Sequence, residues 1–247
     1  MHDNDRFLEL AQAPDARLDD LLALARTRYD VSFDTAHLGG LDVELLQIAD
    51  LNAHIDTLME RAAATRQKLT LPFWAKLWPS SLPLAMLALR LKPAPGDSFL
   101  ETGAGLGLCG LAAAIRGFET VITDIEPEAL LFIRASILKN GLEGKARAAR
   151  LDIAGGSLGR RFTVIAASEA LYIPELHAPL ITLFQEHLED APGAQIVLSC
   201  DRCREAMPFF AKAQQDYRIQ RTETTCRTDA GESQTCVLYR MLRRTDA

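Results

Sequence analysis

Two kinds of hydrophobic periodicity run along the chain, and they divide it near residue 70. Before that point Leu18, Leu21, Leu22, Leu24 and Ala25 recur at helical spacing. The runs 29–33 and 41–45 instead alternate apolar with polar side chains around the turn signal Gly39-Gly40, which predicts a small β-hairpin. A further helix is expected from an N-cap at Asn52 to about residue 65, with Ile55, Leu58, Met59 and Ala62 on one face. Residues 1–70 therefore read as an N-terminal extension of helices and a small hairpin, either a cap packed on the main domain or a lid on its substrate side.

From Gly96 the pattern changes to repeated strand, turn and helix, the signature of an α/β domain with helices covering a mostly parallel sheet. Strands are expected at 98–101, 120–124, 146–151, 163–167 and 195–199, and helices at 106–116, 127–140 and 174–189, the second opening with Pro127 in its first turn. The β-rich runs 218–225 and 235–242, joined by the polar loop 228–233, add a C-terminal antiparallel hairpin. The reading is a Rossmann-like seven-stranded sheet in a domain covering residues 71–247.

Composition narrows the class. The 247 residues are 48% hydrophobic and 24% charged, within the ordinary globular range. A formal charge of −6 opposes an electrostatic grip on phosphate backbone, so no nucleic-acid partner is expected. No apolar run reaches the ~18 residues of a membrane span, and the first residues lack the basic-then-apolar order of a signal peptide, which predicts a cytoplasmic protein without a membrane partner. Five cysteines, an odd count without a secretion signal, predict reduced thiols. Cys200 and Cys203 form a lone CxxC, and the scattered histidines supply no matching ligands, so no metal is expected. The pattern carries no signal for an oligomeric state.

The most informative stretch is Phe99-Leu-Glu101-Thr-Gly103-Ala-Gly105-Leu-Gly107-Leu-Cys-Gly110, between a predicted strand and a predicted helix. Gly103 and Gly105 allow a tight turn and close backbone approach to a cofactor. Counted from Gly103, a dinucleotide fingerprint would need a small residue at 108, where Leu108 stands. Glu101 at the strand end suits a cationic amino-acid moiety better than a pyrophosphate. The favoured cofactor is positively charged and lacks a pyrophosphate, which disfavours a nicotinamide-dependent oxidoreductase.

Four more side chains stand at strand ends. Asp124, about 20 residues past the loop, can accept both ribose hydroxyls of an adenosine or cap the following helix. Asp152 can bond an adenine edge or form a turn before Gly155-Gly156. Ligands of doubly wound sheets bind where strand order reverses, which faces the glycine loop with Ser168-Glu169-Ala-Leu-Tyr172 after the domain's fourth strand. Glu169 and Tyr172, three apart, are expected on one side of a helical turn, as substrate contacts or as a capping carboxylate and a core-edge tyrosine.

These residues resemble the class I S-adenosylmethionine-dependent methyltransferases, and within them methyltransferase family 16, the seven-β-strand group that includes many protein-lysine methyltransferases. Pro72-Phe-Trp74-Ala-Lys-Leu-Trp78-Pro79, the glycine loop, Thr123-Asp124 and Glu169-Ala-Leu-Tyr172 carry the resemblance, which spans about residues 72–242. It implies S-adenosyl-L-methionine as cofactor, with Glu101, Gly103 and Gly105 at its methionine end, Asp124 on its ribose and Trp78 nearby. It also implies that Glu169 and Tyr172 face the amine of a protein lysine or a small molecule. The family's last motif more often begins with Asp, and it often has a Trp where Ile153 follows Asp152. By spacing alone Trp74 and Trp78 are core aromatics, though a ring beside a sulfonium is favourable. A non-catalytic module that keeps the fold to recognise a partner is the alternative from another class.

Overall fold

In the computed structural model, which describes residues 3–65, 69–204, 206–227 and 231–244, the extension folds as two helices, a hairpin and a third helix. These are α1 (Asp3–Gln12), α2 (Leu18–Ala25), the antiparallel strands β1 (Val31–His37) and β2 (Asp42–Ile48), and α3 (Leu51–Thr65). The cap of α3 is Asp50, ahead of the expected Asn52: its Oδ1 accepts the Ala53 N–H at 2.9 Å. Phe7, Leu21, Val43, Leu45 and Leu46 are buried in one apolar core with the helices of the main domain. Polar contacts seat the extension further: Arg28 pairs with Glu128 at 2.5 Å, and Leu46 N–H donates to Ser136 Oγ at 2.9 Å. Helices α1 and α2 and the hairpin thus pack as a cap. Helix α3 differs, having no buried residue.

Next comes α4 (Ser81–Arg90), which the periodicity does not announce because Leu-Pro-Leu-Ala-Met-Leu-Ala-Leu is apolar all round. Pro83 falls in its first turn, where no amide hydrogen is needed by the helix.

The main sheet follows the expected alternation, with one further helix, α8, that the pattern does not announce: β3 (Ser98–Thr102), α5 (Leu108–Arg116), β4 (Glu119–Asp124), α6 (Pro127–Lys139), β5 (Ala146–Arg150), β6 (Val164–Ser168), α7 (His177–His187), β7 (Gln195–Asp201), α8 (Met207–Ala213), β8 (Tyr217–Arg227) and β9 (Ser233–Arg243). The spatial order is β5-β4-β3-β6-β7-β9-β8, parallel from β5 to β7, with β9 antiparallel to both β7 and β8. Every residue of β3 is buried, as a central parallel strand covered on both faces requires. One core joins α4, α5 and α6 to the extension, and the other lies under α7 and α8. Strand order reverses between β3 and β6, which pair directly through Leu100 and Ile165, so their carboxyl ends open at the ligand-binding edge.

Two local expectations are corrected, and part of a third lies outside the described residues. The 174–189 helix is a 3-10 turn, Pro174–Leu176, followed by α7. Within the hairpin loop 228–233, residues 228–230 lie outside the described residues. Cys226 and Cys236 are joined in a disulfide across β8 and β9, against the expectation of reduced thiols, while Cys109, Cys200 and Cys203 remain thiols. Antiparallel pairing brings the two sulfurs together, and that register is not written in cysteine spacing. No helix is long and apolar enough to cross a membrane among the described residues.

Candidate active site

The loop after β3 turns through left-handed backbone and runs under the chain that precedes α4. At Gly105 (φ 56°) a Cβ would stand 2.8 Å from the carbonyl oxygen of Trp74, so no side chain fits. Gly107 then caps α5, whose first amides point back at the strand. Glu101 occupies that position. Its Oε2 accepts the Gly110 N–H at 2.6 Å, and the Cys109 amide also bonds its carboxylate. Burial pushes the Glu101 pKa up to about 8; the Gly110 amide opposes the rise and the nearby Asp124 adds to it.

This arrangement decides what the loop can hold. Dinucleotide folds place a pyrophosphate on the free amides at a helix N-terminus. Here a protein carboxyl group already takes the Cys109 and Gly110 amides, so they are not free for a phosphate, and a cation nearby would favour its ionised form. Leu108, contrary to expectation, does not separate the cofactor classes: the close approach of helix and sheet falls at Gly110, where a Cβ would lie 2.5 Å from Ile122 and 2.9 Å from Glu101. Gly105, Gly107 and Gly110 themselves have the GxGxxG spacing, so the discrimination comes from the placement of Glu101.

Asp124 ends β4 almost fully buried, with Oδ2 accepting the Gly105 N–H at 2.8 Å and Oδ1 the Glu126 N–H at 3.1 Å. The Ile125 amide is a third donor, and burial outweighs all three in raising the pKa. A carboxylate has about four acceptor sites, so this side chain can hold the loop, steady the chain entering α6, and still accept from a ribose. Asp152 is exposed and forms a turn: its Oδ1 accepts the Ala154 N–H at 2.8 Å, and its carbonyl accepts from Gly155 and Gly156. Ile153 instead approaches the loop, 3.7 Å from where a Gly103 Cβ would be.

The two tryptophans separate. Trp74 packs edge-on against Phe132 at 4.9 Å and Tyr29 at 5.9 Å, while its backbone closes over Gly105. Trp78 is half-buried, donates Nε1–H to the Phe73 carbonyl at 3.2 Å, and carries the Lys76 ammonium 4.8 Å from its ring centroid.

Across the reversal point, Glu169 and Tyr172 occupy a turn after β6 and no helix, so the expected common helical face does not form. Glu169 is buried at φ 52°, the one positive value among the non-glycine residues described. Its Oε1 accepts from Ser80 Oγ at 2.7 Å and from the Asp201 N–H at 2.9 Å. Tyr172 is 54% exposed. His177 Nε2 lies 2.9 Å from the Leu171 carbonyl, which ties this turn to α7. The structure therefore joins Glu101, Gly105 and Asp124 in one cluster and ties Glu169 to Ser80 and Asp201 in another. Asp152 belongs to neither. Ser80, Asp201 and Gly110 are the residues that sequence reasoning misses; a serine ahead of the apolar run 82–89 signals Ser80 only as a helix cap.

The family described as lysine methyltransferase matches residues 74–216. Protein N-lysine methyltransferase METTL21A of Danio rerio is 29% identical over 159 residues, covering 59% of this chain and 69% of that protein. Among solved structures, the Pyrococcus abyssi tRNA (uracil-54, C5)-methyltransferase with S-adenosyl-L-homocysteine superposes with a TM-score of 0.54 at 15% identity, over 85% of this chain and 44% of its own. The chain thus spans less than half the length of that enzyme. The ribosomal protein L11 methylase of Lactobacillus delbrueckii subsp. bulgaricus gives a TM-score of 0.51 at 19% identity, covering 67% and 79% of the two chains. At these identities the two structures speak for the fold alone.

Proposed function

Because the chain belongs to the lysine methyltransferase family, we propose that it methylates the side-chain nitrogen of a lysine in a protein, with S-adenosyl-L-methionine as methyl donor. The observation that carries the cofactor side is Glu101 seated on the first amides of α5, where it occupies donors a phosphate would use and ionises more readily when a cation lies beside it. When bound, S-adenosylmethionine would supply a sulfonium methyl whose carbon a neutral nitrogen attacks in line, with the S–C bond pair leaving on sulfur as S-adenosylhomocysteine. Glu101 attracts the ammonium of the methionine end, Gly103 and Gly105 let it approach the backbone, and Asp124 accepts from the ribose. Ile153 provides an apolar wall beside the loop, and Trp78 borders the site from the segment before α4. Asp152, engaged in its turn and solvent-exposed, is assigned no adenine contact.

On the acceptor side, Glu169 orients the amine and Tyr172 lines the approach. Lysine must arrive without its proton. Burial among protein groups lowers a lysine pKa, whereas a neighbouring carboxylate raises it, so Glu169 serves as an orienting group and not as a strong base. The negative chain charge supports a protein or amine partner over a nucleic acid. A cytoplasmic location rests on the sequence alone; a lasting Cys226–Cys236 crosslink would be unusual there.

The test is transfer of labelled methyl from S-adenosylmethionine into a cell lysate, with the acceptor residue located by mass spectrometry and Glu169→Ala as control. Label in lysine of a protein band supports the proposal. Label confined to small metabolites would move the assignment to a small amine.

A further inference from the structure

Ser80 stands where a helix cap belongs, yet its hydroxyl does not cap. Serine at an N-cap ordinarily accepts from an amide of the first turn. In α4 that bond is missing, and the backbone of Ser80 is itself helical (φ −68°, ψ −18°). The hydroxyl instead donates to Glu169 Oε1 at 2.7 Å, from a fully buried position 89 residues away in sequence.

The direction of the surrounding hydrogen bonds follows by counting protons, since each serine hydroxyl has one hydrogen to donate. Ser80 gives its hydrogen to Glu169. Ser168 Oγ, 3.0 Å from Ser80 Oγ, must therefore be the donor of that pair. Ser199 Oγ then donates to Ser168 Oγ at 3.0 Å. The result is a one-way chain from the ends of β7 and β6 through the start of α4 to a single carboxylate oxygen. The Asp201 N–H donates to the same oxygen, and Asp201 is held in turn by its own side chain, with Oδ1 accepting from Cys203 N–H at 2.7 Å and Oδ2 accepting from Gln234 Nε2. Successive bonds of this kind polarise one another in a low-dielectric interior. With two donors on Oε1 and a left-handed backbone at Glu169, one orientation of the carboxylate is selected.

We propose that Ser80 is a positioning residue for methyl transfer, which holds the Glu169 carboxylate toward the acceptor amine through a serine relay completed by Ser168 and Ser199. This rests on the role given to Glu169 above. Ser80 takes no part in cofactor binding, and its loss acts on alignment of the acceptor.

The experiment measures turnover on the identified acceptor, the KM for that acceptor, and calorimetric affinity for S-adenosylmethionine in full-length protein. Ser80→Ala should lower kcat about tenfold to a hundredfold, the size of effect expected from misaligned reactants, while cofactor affinity stays within about twofold. Ser80→Thr, which restores a hydroxyl, should recover most of the loss. Ser168→Ala leaves the Ser80–Glu169 bond in place and should fall between wild type and Ser80→Ala; it carries the test if Ser80→Ala does not fold. Folded Ser80→Ala with wild-type turnover, or with cofactor affinity reduced as much as turnover, would overturn the inference. Full activity in Glu169→Ala would instead overturn the role of Glu169 itself, and the two failures are distinct.

Discussion

The Gly105 N–H donates to Asp124 Oδ2 at 2.8 Å, so the residue that ends β4 also fixes the turn that follows β3. One carboxylate thereby couples loop geometry to cofactor recognition. Asp124→Ala removes the ribose acceptor and leaves the part-buried Gly105 amide, and the more exposed Ile125 and Glu126 amides, without their carboxylate partner. Affinity for S-adenosylmethionine and S-adenosylhomocysteine should fall at least about tenfold by calorimetry, a loss of about 1.4 kcal/mol. Unchanged affinity in folded protein would remove Asp124 from the site.

Glu101 makes stability and binding depend on pH in a defined sense. Its folded pKa of about 8 lies above the ordinary 4.5 because burial disfavours the charge. The folded state therefore binds the proton more tightly than the unfolded state. The stability this contributes is complete below pH 4.5 and declines as pH rises toward 8. In urea titrations, Glu101→Gln should gain on wild type across that window and the difference should level off above it. A pH-independent difference would contradict the assignment. A cofactor ammonium beside Glu101 favours its ionised form, so binding near neutral pH should release protons, seen as buffer-dependent binding heats that disappear in Glu101→Gln.

The main domain was legible because strand and helix periods differ. The continuous apolar strands and the glycine loop placed β3, α5, β4 and the reversal point between β3 and β6. Helix α4 was hidden by an apolar surface on all sides, which has no period to read. The site was legible in residue types and less so in contacts. The inward placement of Glu169 depends on a positive φ that glutamate rarely adopts and on a serine from another element. The turn at Asp152 was open from the start, since an Asp before two glycines suits a turn as well as a ligand. The third close-packed glycine shows how framing decides a motif: counted from Gly103 it falls on Leu108, and counted from Gly105 it falls on Gly110.

Gly110 itself provides a packing test. A methyl group there would press on Ile122 of β4 and on the carboxylate of Glu101, at 2.5 and 2.9 Å. Overpacking of this kind costs about 1–3 kcal/mol. Gly110→Ala should lower the thermal midpoint by several degrees and weaken cofactor binding, because Glu101 is displaced with the helix. Loss of stability with full cofactor affinity would show that the seat of Glu101 is not part of the binding site.

The Cys226–Cys236 crosslink separates the structure from the expectation of five reduced thiols. In protein prepared without reductant and denatured in excess alkylating reagent, three thiols should react, those of Cys109, Cys200 and Cys203, against five for a reduced chain. The crosslink spans a sequence separation of 10 and ties β8 to β9. Strand β8 is the sheet edge, with most of its side chains exposed, so it relies on β9 for its ladder. Closing a short loop places the stabilisation toward the lower end of about 2–4 kcal/mol. Reduction should accordingly raise amide exchange in 217–227 and 233–243 before it affects β3 or β4, since edge elements open locally ahead of the core. Five reactive thiols would instead mean that the hairpin holds its register without the bond, through its backbone pairing and the buried Val237, Tyr239 and Met241.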